Sequence, residues 1–246
     1  MVDYISAIKR PFSDFRNLII GILLGIIPIV NLFVSGYVLT AGNLSLKKKL
    51  GLPEWVDWGN LFIRGLCSIF ISIIYLIPAL AVFSAAAAIF IAKVSYLFDI
   101  AGVVDASGLT PEIIREVVKL IPVPLSAAFA VLFILAVYVM PSAWLKYAKD
   151  WKIREAFRIK EVFRRAFSAK YFLTSVFTGI YSAIISVLLS MIFYSATGFL
   201  EMLSSSIYSM TAGITSITAF AMVFCEDKKT EKSTVKHVVK KAKKRK

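Results

Sequence analysis

The amino-acid sequence predicts an all-α fold, a polytopic bundle of transmembrane helices, on three observations. Apolar residues fill 59% of 246 positions and mean hydropathy is +0.78, where a soluble domain holds nearer half apolar residues. They are also segregated: 17–46, 65–92, 120–145, 171–200 and 202–225 contain no Asp, Glu, Lys, Arg or His, and each exceeds the roughly 20 residues that cross the hydrocarbon layer. None shows the polar–apolar alternation over about ten positions that a membrane β-barrel strand needs. In 120–145, 13 Leu, Ile, Val or Phe residues each favour insertion by about 0.3 to 0.6 kcal/mol, with no opposing charge.

Residues 1–16 carry Tyr4, Ile5, Ile8, Phe12 and Phe15 at helix-like intervals among Lys9, Arg10 and Arg16, the pattern of a short segment at the membrane surface, interrupted at Pro11. Run 17–46 is far longer than a signal-peptide core and no small-x-small cleavage site follows, so it is expected to be retained. Within it Pro28 removes a backbone donor and disfavours helix at Ile27, and Gly21, Gly25 and Asn31 weaken the same stretch. The run is either one kinked span or two half-helices that re-enter on one side. Its length and single proline favour the full span, giving five spans in place of four.

Leu52 to Trp58 reads as a polar turn, with Asp57 as helix N-cap and Trp55 and Trp58 resting at the headgroup level. Run 65–92 has a kink expected at Pro78, and Asp99 to Lys119 a polar loop with a helix start at Thr110-Pro111-Glu112. Residues 146–170 hold nine Lys or Arg against three acids, with Ala156, Ile159, Phe163, Ala166 and Phe167 at helical spacing and Arg154, Arg158, Glu161 and Arg165 opposite. Such an amphipathic helix lies on an anionic membrane surface, or else its apolar face packs on the protein. Runs 171–200 and 202–225, divided only by Glu201, require a tight hairpin near Gly198. Gly179, Ala183, Ser186 and Ser190, then Ser205, Ser209, Ala212, Ser216 and Ala219, form small-residue faces for close helix packing within the chain, with a partner protein or in a homo-oligomer. Residues 226–246 hold ten Lys or Arg and three acids, a composition expected to be disordered and, beside a membrane, directed to anionic headgroups more than to nucleic acid.

Lys and Arg outside the runs number 3, 4, 3, 9, 0 and 10 in chain order. The positive-inside rule then places 146–170 and the C-terminus in the cytoplasm of a multi-pass cell-membrane protein. The sole histidine, His237, lies in the tail and Cys67 and Cys225 sit in or beside spans, so no catalytic, cofactor or metal site is expected. No ionisable residue lies deep in a run, which removes the usual mark of an ion path. Pro28 and Asn31 are the candidate broken-helix site, because unwound backbone can bind ions or substrate. Trp55, Trp58, Arg154, Arg158 and Arg165 are the candidate interfacial anchors. A non-enzymatic protein that organises lipid or protein partners is the first functional expectation, a transporter or pore component the second and a lipid-modifying enzyme the third.

Pro11-Phe12-Ser13-Asp14, Ile27-Pro28-Ile29-Val30-Asn31 with Gly36-Tyr37, and Leu52-Pro53-Glu54-Trp55-x-Asp57-Trp58-Gly59-x-Leu61-Phe62-x-x-Gly65 carry a resemblance, joined by Lys146-Tyr147-Ala148, Ala156-Phe157 and Glu161-Val162. Over Pro11 to Phe224 the chain resembles the mainly archaeal membrane proteins grouped as domain of unknown function 4013. That resemblance implies a polytopic membrane protein and brings no activity, ligand or catalytic residue.

Overall fold

The computed structural model describes residues 2–101, 115, 117–194 and 197–243, with side chains through 96 and from 117 to 225 outside the gaps. The helix start expected at Thr110 lies outside the described residues. By internal contacts the chain divides into two units, 1–71 with 139–246, and 72–138.

The helices in order are α1 (Tyr4–Lys9), α2 (Phe15–Gly25), α3 (Asn31–Leu46), α4 (Trp58–Ala101), α5 (Val123–Asp150), α6 (Ile153–Ala156), α7 (Ile159–Ala166), α8 (Ala169–Ile192) and α9 (Phe199–Lys243). Four stretches are long and apolar enough to cross a membrane: Trp58–Tyr96, Val123–Asp150, Ala169–Ile192 and Phe199–Cys225. The all-α, multi-pass expectation holds. Gly198 makes the turn before α9 with φ of +63°, a left-handed conformation that costs glycine little.

The first apolar run does not span. Pro28 lies between α2 and α3, and at about 1.5 Å per residue their 11 and 16 residues reach about 16 and 24 Å, short of the roughly 30 Å hydrocarbon core. Their neighbours on α9 show that they run in opposite directions. Along α2, Gly21 faces Met210 and Gly25 faces Ser206; along α3, Val38 faces Gly213 and Gly42 faces Ile217. Hence α2 is antiparallel to α9 and α3 parallel to it. The pair is a re-entrant hairpin with both necks at the Cys225 end of the α9 span, which corrects the expectation of a full span. Its tip is held by Ser206, whose hydroxyl donates to the Ile22 carbonyl (2.6 Å), one of the carbonyls left without a helical partner by the break.

The core of the larger unit sits where the hairpin meets α9: Leu18, Val34, Tyr37, Trp55, Leu61, Met210 and Ile214 are buried together. The hairpin also crosses α4 at backbone contact. A Cβ on Gly36 would lie 2.7 Å from the Leu61 carbonyl carbon, and one on Gly65 would lie 2.8 Å from that of Leu32. In unit 72–138, Phe83 packs on Phe129 at 5.2 Å between ring centres. Past Cys225 the backbone stays helical to Lys243, where composition led to an expectation of disorder; that stretch has no Gly or Pro, and seven of its 18 residues are Lys, a fair helix former.

Candidate functional site: the basic end of the bundle

The neck of the hairpin is closed by Arg10. A 3-10 turn over Arg10–Ser13 buries its side chain to 2% exposure. From there its guanidinium donates Nε to the Leu50 carbonyl (2.9 Å), Nη2 to the Gly51 carbonyl (3.0 Å) and Nη1 to both Ser45 Oγ and Thr218 Oγ1, the latter at 2.8 Å. One side chain thus ties the first neck to the end of α3, to the strap leading into α4, and to α9. No carboxylate bonds to it among the described residues. Burial pulls its pKa down to about 10, so it stays cationic at neutral pH. Sequence reasoning counted Arg10 only as a topogenic charge. Gly51 and Pro53 were a further signal, because they mark irregular backbone whose carbonyls need outside donors.

Trp55 fills the neck from the strap. It is 9% exposed, lies flat on Tyr37 at 4.1 Å and 8°, and donates its indole N–H to the Asn17 carbonyl (2.9 Å). It is therefore a core residue, in contrast with the expected headgroup anchor. Trp58 is exposed, beside Trp55 and Phe33. Asp57 precedes α4 in a left-handed conformation, φ +59°, and accepts from the Asn60 side chain at 2.6 Å.

Residues 146–170 form no single amphipathic helix. Residues 146–150 are the last turn of α5, whose open carbonyls at Ala148 and Lys149 accept from Asn43 Nδ2 (2.6 and 3.4 Å). Trp151 then turns the chain with φ of +55°, and α6 and α7 follow as separate pieces, which breaks the single helical register. Ala156, Val162 and Ala166 go inward, while Ile153, Ile159 and Phe167 are exposed beside the exposed Lys152, Arg154, Lys160 and Arg164. The collar of α6 and α7 is fixed from inside: Ser142 Oγ donates to the Val162 carbonyl (3.2 Å), and Arg165 stacks on Phe224 at 4.6 Å. Buried Lys146 pairs with Glu161, and their hydrogen bond holds the Glu161 carboxyl below the usual glutamate range. Arg158 pairs with Glu155 and Glu161 at 3.2 and 3.4 Å. Arg64 stacks on Trp151 at 4.0 Å.

The other predicted positions scatter. Pro28 is exposed at the hairpin tip and Asn31 half-buried at the start of α3, with its Oδ1 buried and lacking a hydrogen-bond partner. On α8, Gly179, Ala183, Ser186 and Ser190 are exposed, whereas Ala212 and Ala219 on α9 are buried.

The model of the family described as protein of unknown function (DUF4013) matches residues 19–194. The chain belongs to this family. The match spans the hairpin, the strap and the collar and ends at the turn before α9, so the neck is framed by family sequence and closed by Arg10 and Thr218 from outside it. No curated protein and no solved structure matches the chain.

Proposed function

We propose that this multi-pass membrane protein is non-catalytic and organises anionic lipid at the leaflet facing its basic end, which we place in the cytoplasm. The carrying observation is the outward side of the collar, where Ile153, Ile159 and Phe167 are exposed among Lys152, Arg154, Lys160 and Arg164. An apolar side chain beside a cation suits the boundary between acyl chains and headgroups, where each cation near an anionic leaflet contributes about 1 kcal/mol before screening. The inward contacts of Ala156, Val162, Lys146 and Arg165 hold that face fixed, so little order is lost on binding.

The test is the full chain in nanodiscs of phosphatidylcholine with rising phosphatidylglycerol, read by co-purifying lipid and thermal stability. Wild type should enrich phosphatidylglycerol and lose the enrichment at high salt, and K152Q/R154Q/K160Q/R164Q should lose most of it. Equal lipid composition around both proteins would refute the reading. Asn31 supports a second reading, a transporter or pore component, because its buried Oδ1 lacks a partner beside a helix break. Unchanged flux in N31A and P28A, from a chain shown to conduct, would remove it.

A further inference from the structure

We infer that the hairpin neck is a second, separate binding surface for anionic phospholipid, built from Lys9, Arg16 and Lys47 to Lys49 around an exposed apolar rim. It rests on the reading above that the basic end meets an anionic leaflet. Because α2 and α3 run oppositely along α9, the start of one and the end of the other share one end of the larger unit. That arrangement brings two runs of cations, far apart in sequence, to one place. Arg10 makes the juxtaposition concrete, for its guanidinium bonds Ser45, Leu50 and Gly51, which bracket the three lysines.

The charge at this place is unbalanced. Lys9, Arg16, Lys47, Lys48 and Lys49 are all exposed, and none has an ion pair among the described residues. Beneath them lies Arg10, buried against four neutral oxygens. The neighbouring acids Asp3, Asp14, Glu54 and Asp57 keep their charge, since Asp3, Asp14 and Asp57 accept only from the neutral Ser6, Asn17 and Asn60, so six cations stand against four carboxylates and the net charge is positive. A buried cation without a counter-charge adds to the field of the lysines above it, because it is poorly screened by salt.

Apolar side chains complete the surface. Phe12, Phe15 and Leu50 are between 41% and 65% exposed at this end. In water this rim would be a liability; at the acyl boundary it buries apolar area. Cations for a phosphate and a rim for the upper acyl chain describe an anionic phospholipid, and a soluble polyanion would use the cations alone. The surface is also held in shape, since Lys48 is fixed in a left-handed turn at φ +62° by Lys49 N donating to the Leu44 carbonyl (2.9 Å).

The experiment uses the full chain in nanodiscs and reads tryptophan quenching by brominated lipid, in W144F/W151F so that the signal comes from Trp55 and Trp58. Brominated phosphatidylglycerol as a minor component should quench several-fold more than brominated phosphatidylcholine. K47Q/K48Q/K49Q should reduce the preference by about fivefold for each effective cation, while the collar variant K152Q/R154Q/K160Q/R164Q should leave it intact. Should the double Trp variant not fold, the difference between the four-Trp wild type and the triple Lys variant gives the same comparison. Equal quenching by both lipids, or a preference that survives the triple substitution, overturns the proposal. Loss of the preference in the collar variant alone would return the binding to the collar and overturn the neck site while leaving the proposed function standing; enrichment at neither surface would overturn both. A preference for brominated phosphatidylglycerol displaced by soluble polyphosphate but not by phosphatidylglycerol vesicles would mark a soluble anion in place of lipid, and would also overturn it.

Discussion

Adding one methyl group where the hairpin crosses α4 tests the packing that holds the hairpin in place. In G65A the new Cβ would sit 2.8 Å from the Leu32 carbonyl carbon and 3.2 Å from its Cα; in G36A it would sit 2.7 Å from the Leu61 carbonyl carbon. Carbon atoms rest at about 3.5 to 4.0 Å and the facing carbonyl oxygens lie closer still to the added carbon, so the two backbones must part by about 1 Å or more. No rotamer change relieves the clash, because the opposing atoms are main chain. Overpacking of this kind costs about 1 to 3 kcal/mol, and the rigidity of the contact points to the upper end. For a chain of this size that is about 6 to 12 °C in Tm. Thermal unfolding in detergent can be followed with a thiol-reactive dye, since the thiols of Cys67 and Cys225 are half-buried. G59A and G179A are the controls, having nothing within 4 Å of the added carbon. Both crossing variants relieve strain by the same parting of helices, so G36A/G65A should cost less than the sum of the two. A Tm for either crossing variant that matches the controls would refute the close crossing.

Three further outcomes follow from the basic end. Arg10→Met keeps the stem but strands Ser45, Thr218 and two carbonyls, and should cost about 2 to 4 kcal/mol, with a red shift of Trp55 emission as the neck opens; Arg10→Lys should recover only part, lacking the planar fork. The Glu161 carboxyl is held below its usual range by Lys146, so its stabilisation is present above the ordinary glutamate pKa of about 4.3 and fades as pH falls through the lowered value. Because Glu161 is 40% exposed the effect is about 1 kcal/mol or less; the gap in Tm between wild type and Glu161→Gln should be open at neutral pH and close in acid, and a gap independent of pH would count against the pair. Finally, in a cysteine-free background, single cysteines at Ser6 and Ser233 should react with an impermeant thiol reagent from the same side and one at Ser107 from the other. Labelling of Ser6 and Ser233 from opposite sides would show that the first run spans after all.

Membrane class, four spans and the turn at Gly198 were legible in the sequence, because insertion free energy is a sum over residues in a window and needs no knowledge of neighbours. The helix break at Pro28 was legible for the same local reason, as a lost donor and a steric clash. The collar was only half legible. Helical spacing placed Ala156 and Ala166 inward correctly, but Ile159 and Phe167 face out, because Trp151 and the joint between α6 and α7 reset the register that a single period assumes.

What the tertiary structure alone decided is whether the broken run crosses or returns, and which cations are spent inside. The sequence left the span count open between four and five. The answer came from contacts 181 and 208 positions apart in chain order, Gly25 with Ser206 and Arg10 with Thr218, which no local window contains. The same holds for Trp55, whose aromatic ring reads as a headgroup anchor until the Asn17 carbonyl appears beside its N–H. Composition sets how strongly each segment prefers lipid over water; only the partner opposite each polar group determines whether that group faces the membrane surface or closes the protein around itself.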